Sequence, residues 1–317
     1  LAVMGAKNLQ HGPLEALITA SEETGMYGAF GLKPGVLQGD ILLNLDSETE
    51  GELYVGCAGG LDLNVTLKYK EVSIPAGYVA QKIDVKGLLG GHSGIEIILE
   101  RGNANKIMAR LLLKAQKEVG LRLAAIDGGG LRNAIPREAI ATVMVPEAQV
   151  ESLSKLVKTI AETVSAELKE VDDNVTILLS DTAIPASVMD LDSQNRLLNA
   201  IQGCPNGVFR MSPSIKGLVQ TSTNLARVVS ENGTVRMQAL LRSSVESEKE
   251  YLAETMSSVF ALAGADVTPS GGYSGWNPDM SSPILKTMTE SYEALYGQEP
   301  AVMAIHAGLE CGLLGGK

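Results

Sequence analysis

The sequence predicts an α/β fold in which one α/β domain is interrupted by an inserted α+β domain. Three observations carry this. Residues 14–20 (LEALITA) and 41–45 (ILLNL) are short apolar runs bounded by turn residues, the pattern of strands buried in a parallel sheet. From Leu61 the pattern changes: Leu61, Leu63, Val65, Leu67 and Tyr69 alternate with other residues, as in a strand with one face in water. After Gly271-Gly272 the buried α/β character returns, with a helix over 282–296 and a strand over 301–305. The expected boundaries are 1–60 and 274–317 for the two parts of the α/β domain and 61–273 for the insert.

The elements follow in order. Residues 25–39 are Gly-rich, contain Pro34, and read as a short helical turn plus loop. Residues 78–86 pair with the strand that starts at Leu61. Residues 105–119 have helical periodicity and stop at Gly120, a residue suited to the left-handed position after a helix. Strands over 121–126 and 139–145 precede a long amphipathic helix over 146–171. A second pass of the same kind follows, with a strand at 175–179 and a helix at 193–202. Residues 225–229 and 235–241 form a hairpin around Asn232-Gly233, a strong turn signal. A helix over 245–263 and a strand near 266–269 close the insert.

Composition narrows the function. At roughly 150 residues per domain, 317 residues suggest two domains. The balance of 26 Lys+Arg against 37 Asp+Glu gives a formal charge of -11, which argues against nucleic acid as a partner. Hydrophobic residues make up 45% but aromatics only 4%, so the core is aliphatic. Cys57, Cys204 and Cys311 are too few and too far apart for a disulfide framework or a cysteine zinc site. No run approaches the ~18 apolar residues of a membrane span and no secretory pattern is seen, so no membrane partner is expected and a cytoplasmic location is. Three histidines rule out a His-rich metal cage built from this chain alone. The sequence opens at Leu1 in mid-element and stops at Lys317 just after an apolar stretch, and so reads as a piece lacking both ends.

Several residues are candidates for chemistry. Glu22 and Glu23 directly follow a buried run, where side chains of an open α/β sheet project into the ligand crevice. One such carboxylate can bind metal while its neighbour activates a metal-bound water. The plainer reading is a solvated acidic turn capped by Ser21. Asp46 repeats the geometry after the second run, with an Asx turn as its alternative. His92 sits in Gly90-Gly91-His92-Ser93-Gly94, a loop where packing does not ask for a histidine, and it can donate to a developing oxyanion. A phosphate loop is a weak reading of these glycines, because no Gly-Lys-Ser/Thr follows. Asn133 lies in a rigid turn before Pro136, to bind substrate or merely to close the turn. Arg242 ends an apolar strand; it can clamp a carboxylate or pair with Glu246, Glu248 or Glu250. Gly308, between His306 and Glu310, lets backbone approach a ligand.

The segments HGPLEALITASEETGM, ILLNLDSETEGELYVGCAGG, LLGGHSG, GGLRNAIPREA and IHAGLECG together resemble the di-zinc metallopeptidase family that includes aminoacyl-histidine dipeptidases, carnosinases and carboxypeptidase G. The resemblance runs in order over essentially the whole chain. It implies a catalytic α/β domain with an inserted lid that mediates homodimerisation, and hydrolysis of dipeptides of the Xaa-His type by a zinc-bridging hydroxide. Glu22 is then the general base, Glu23 and Asp46 are ligands of two zinc ions (cobalt or manganese being possible substitutes), and His92 stabilises the tetrahedral intermediate. Asn133, Arg242 and Gly308 hold the substrate, Arg242 by its terminal carboxylate. The family also needs a His-x-Asp motif, a bridging Asp and a late His, and of five protein ligands only Glu23 and Asp46 are in this sequence, so an incomplete metal site is expected. The other readings are a related amidohydrolase acting on acylated amino acids and a non-catalytic peptide-binding or dimerisation module.

Overall fold

The structure, a computed structural model, describes residues 2–22, 25–47 and 49–317. The first half runs α1 (Ala2–Gly5), α2 (Tyr27–Gly31), β1 (Glu52–Cys57), β2 (Gly59–Lys68), β3 (Glu71–Val72), β4 (Tyr78–Lys86), α3 (Ala104–Val119), β5 (Arg122–Gly129), β6 (Ala139–Pro146) and α4 (Val150–Leu168). The second runs β7 (Thr176–Asp181), β8 (Val188–Met189), α5 (Leu191–Gly203), β9 (Gly207–Met211), β10 (Val219–Glu231), β11 (Thr234–Ser243), α6 (Glu246–Leu262), β12 (Asp266–Tyr273), α7 (Pro283–Tyr296), β13 (Ala301–Ile305) and α8 (Glu310–Leu314).

Nine strands form one antiparallel sheet in the order β12-β2-β11-β10-β5-β6-β4-β7, with β9 also on β10. The helices α3, α4, α5 and α6 contact the sheet and one another. Alternation sets which side chains they meet. Leu61, Leu63, Val65 and Leu67 of β2 and Val235, Met237, Ala239 and Leu241 of β11 join the main core, leaving Gly60, Asp62, Asn64 and Arg242 for the opposite face. That core is aliphatic as expected, with Phe260 its one fully buried aromatic among the described residues. Helix α3 starts where the Asn103 side chain accepts the N–H groups of Asn105 and Lys106, and stops at Gly120 with φ 68°. The hairpin of β10 and β11 turns at Asn232 and Gly233, both at positive φ.

Two expected strands do not form. Residues 14–20 and 41–45 have no strand structure, and Ile18 is 82% and Leu45 93% exposed. A buried parallel strand needs hydrogen-bonding neighbours on its flanks. Among the described residues the parallel sheet consists of β1 and β13 alone. Apolar content marked these runs, but no other described segment offers them a ladder. Strand β1 itself went unread, because Glu52 to Cys57 neither alternates nor forms a continuous aliphatic run.

Candidate functional site

The site is built on the sheet face away from the helices. Ser222 of β10 and Arg242 of β11 are cross-strand partners there. Arg242 is 5% exposed, and its Nη1 donates to the Tyr273 hydroxyl at 3.1 Å, at the end of β12. Its Nε has no hydrogen-bond partner among the described residues. Of the three alternative partners in α6, Glu246 pairs with Lys249 and Glu248 with Arg210, and Glu250 is exposed with no ion pair to Arg242 among the described residues.

His92 lies beside this guanidinium. The loop that carries it pairs with the 130–136 turn through a His92–Ala134 bridge and a 2.8 Å bond from Ser93 N to Asn133 O. Its backbone N–H donates to Glu96 at 2.7 Å, and its Nδ1 accepts the N–H groups of Gly94 and Ile95 at 3.2 and 3.1 Å. An Nδ1 that accepts twice carries no proton, so the neutral ring holds its proton on Nε2. Burial and then the Arg242 charge push the His92 pKa down, against an opposing pull from Glu96. The ring is thus a neutral hydrogen-bond donor at neutral pH.

Asn133 is exposed on its turn. The turn is clamped by fully buried Asn224, which donates to the Arg132 and Ala134 carbonyls, and by an Arg132–Asp62 ion pair at 3.3 Å. Gly308 faces Tyr273: a Cβ on Gly308 would lie 2.9 Å from that ring and 3.3 Å from Met26 Cε. Met26 in turn donates its N–H to the Glu22 carbonyl at 2.9 Å. Thr19, just ahead of that turn, donates to Glu310 at 3.0 Å. The structure therefore gathers His92, Arg242, Gly308 and the Asn133 turn, and Glu22 is linked to them through the backbone of Met26.

The two expected metal ligands fare differently. Glu23 lies outside the described residues. Asp46 is exposed, on a turn closed by its N–H to Asn44 Oδ1 at 2.8 Å. Among the described residues no three His, Cys, Asp or Glu side chains group so as to hold a metal ion. His11 bonds through Nδ1 to the neighbouring Gly12 carbonyl and His306 through Nε2 to Ser222, and neither joins a group of metal-binding side chains among the described residues. The described residues do not fit a dinuclear zinc site. Tyr273, Ser222 and Glu96 escaped the sequence reading. Only Glu96, four residues after His92, had a signal in its spacing.

Comparison with known proteins bears out the resemblance read from the motifs. The peptidase dimerisation domain family matches residues 83–172. The chain is 44% identical over 313 residues to the cytosol non-specific dipeptidase of Escherichia coli (strain K12), covering 99% of this chain and 64% of that protein. The crystal structure of aminoacylhistidine dipeptidase from Vibrio alginolyticus matches with a TM-score of 0.96 at 44% identity, over 99% of this chain and 64% of that one. The α/β fold with an antiparallel-sheet domain is thereby shared with a solved dipeptidase. The chain spans a little under two thirds of the length of either protein. Among the described residues no helix is long and apolar enough to cross a membrane.

Proposed function

We propose that the protein hydrolyses dipeptides, as part of the metallopeptidase family its motifs resemble. One observation carries this reading. A histidine locked as a neutral Nε2–H donor stands beside a buried arginine whose Nε has no partner among the described residues. A site of that kind suits a small substrate with a free carboxylate next to a carbonyl that turns into an oxyanion.

Each residue then has a task. Arg242 binds the terminal carboxylate of the dipeptide by charge-assisted hydrogen bonds. The Gly308 backbone and the Asn133 amide orient the chain. Glu22 takes a proton from the attacking water and passes it to the leaving amine, as general acid-base logic requires. His92 Nε2–H donates to the oxyanion of the tetrahedral intermediate, and its low pKa suits that task because a neutral donor needs no proton transfer to act. Glu23 and Asp46 are assigned to metal. The family implies two zinc ions, or cobalt or manganese, but the described residues do not make that centre.

The domains are assigned as catalytic at 1–60 and 274–317 and lid at 61–273. The dimerisation-domain match supports a homodimer formed through the lid. The name of the E. coli relative supports a cytoplasmic location. The test uses the whole protein: Glu22→Gln loses most turnover of Xaa-His dipeptides while the protein stays folded and dimeric by sedimentation. Near-normal kcat in that variant overturns the assignment.

A further inference from the structure

His306 is a buried titratable group to which the proposed chemistry gives no task. It follows β13 immediately, lies two residues before Gly308, and is 6% exposed. Its Nε2 is 2.7 Å from Ser222 Oγ. Ser222 is itself 1% exposed and directly opposite Arg242 across the β10–β11 ladder. Directly opposed residues on one face have Cβ atoms about 4.5–5.5 Å apart. The imidazole is therefore tied to the immediate neighbour of the guanidinium.

The same residue also meets the His92 loop. A Cβ on Gly94 would fall 2.3 Å from the His306 carbonyl oxygen, 3.0 Å from His92 Cε1 and 3.1 Å from Arg242 Nε. So the His306 segment, the His92 loop and Arg242 close on one point where only a glycine fits. A buried nitrogen near that point, Arg242 Nε, has no hydrogen-bond partner among the described residues.

We propose that His306 is a positioning residue for the carboxylate end of the site: its imidazole, tied to Ser222, holds the 306–308 segment at a fixed distance from Arg242, so that the Gly308 backbone and the guanidinium grip one substrate together. This rests on the dipeptidase reading, and in particular on Arg242 as the carboxylate clamp. The chemistry of the ring fits the place. A lysine or arginine here would repel Arg242, and an aliphatic side chain would leave the buried Ser222 hydroxyl without its partner. The imidazole is neutral because burial, and after it the Arg242 charge, drives its pKa from 6.5 to about 3.

The test is steady-state kinetics of the whole protein with a dipeptide as substrate and its C-terminal amide as inhibitor. Ser222→Ala, which removes one oxygen, and His306→Leu each raise KM for the dipeptide about tenfold, the scale of one lost positioning hydrogen bond beside a charge. They change kcat less than about threefold and leave inhibition by the amide, which lacks the carboxylate, unmoved. His306→Gln, whose side-chain amide can reach Ser222, restores most of the wild-type KM. Equal effects on dipeptide and amide, a loss confined to kcat, or no effect overturns the positioning role while the dipeptidase reading stands. A folded wild-type protein that cleaves no dipeptide overturns both.

Discussion

Arg242 and Tyr273 meet at 3.1 Å, the guanidinium donating to the phenol oxygen. They come from β11 and from the end of edge strand β12, with β2 between them. Gly60 of β2 makes the crossing possible, since a Cβ there would stand 2.5 Å from the Tyr273 ring. The phenol thus reaches over a missing side chain to fix a buried cation. Tyr273→Phe removes that acceptor and leaves one more arginine N–H unpaired. A loss of about 1–3 kcal/mol in unfolding free energy is expected, with weaker substrate carboxylate binding. Urea unfolding and KM check the two effects, and a Phe variant with wild-type values in both contradicts this role.

Gly94 is the second close approach. Its Cβ would sit 2.3 Å from a backbone oxygen, the carbonyl of His306, which cannot rotate away as a side chain can. Gly94→Ala must push the His92 loop from the 306–308 segment. Overpacking of this kind costs about 1–3 kcal/mol. The variant is expected to be destabilised by that amount in urea and to lose turnover, because His92 moves with the loop. Wild-type stability would show that the loop can yield.

How much of this was legible in the sequence varies with the physics behind each feature. Helix α3 was readable because its signals are local: its apolar residues recur at helical spacing and Gly120 ends it within the chain's own neighbourhood. The β10–β11 hairpin was readable because Asn232-Gly233 specifies its own turn. Residues 14–20 and 41–45 misled because an apolar run says only that burial is favourable, and not whether a neighbouring strand exists. His92 and Arg242 were found by their odd settings, a histidine among glycines and a charge at the end of an apolar strand. Their partners were not. Tyr273 lies 31 residues from Arg242, and His306 lies 84 residues from Ser222, so only the folded sheet brings them together.

Asp172 holds the His92 loop from behind. It is 1% exposed, and its two carboxylate oxygens accept the N–H groups of Leu89 at 2.6 Å and Gly102 at 2.9 Å. These two positions bracket the segment that contains His92. Asp172→Asn keeps the shape but leaves one carbonyl oxygen to do the work of two, and the amide nitrogen then faces a donor. The expected cost is about 1.5–3 kcal/mol, the scale of a hydrogen bond to a charged group. Amide exchange at Leu89 or Gly102 should quicken before that of the β10 core. Unchanged protection at both would contradict the clamp.

The final prediction concerns acid stability. Folding lowers the His306 pKa from 6.5 to about 3, with burial the larger cause and Arg242 the next. The charged neighbours that face this ring are Arg242 on β11 and, when protonated, His92 on its loop. Below pH 6.5 the unfolded chain binds a proton at this position, and the folded protein refuses it until about pH 3. Stability is therefore fully present above 6.5 and falls as pH falls through this window, by about 1.4 kcal/mol per pH unit for one proton. The His92 pKa is also lowered, so it adds a slope of the same sign. Replacing His306 by Gln, which does not titrate, should remove about one proton from the dependence while keeping the contact with Ser222. Urea unfolding at pH 7, 6 and 5 measures this as a shallower slope in His306→Gln than in wild type, and parallel slopes would mean that His306 is protonated in the folded protein.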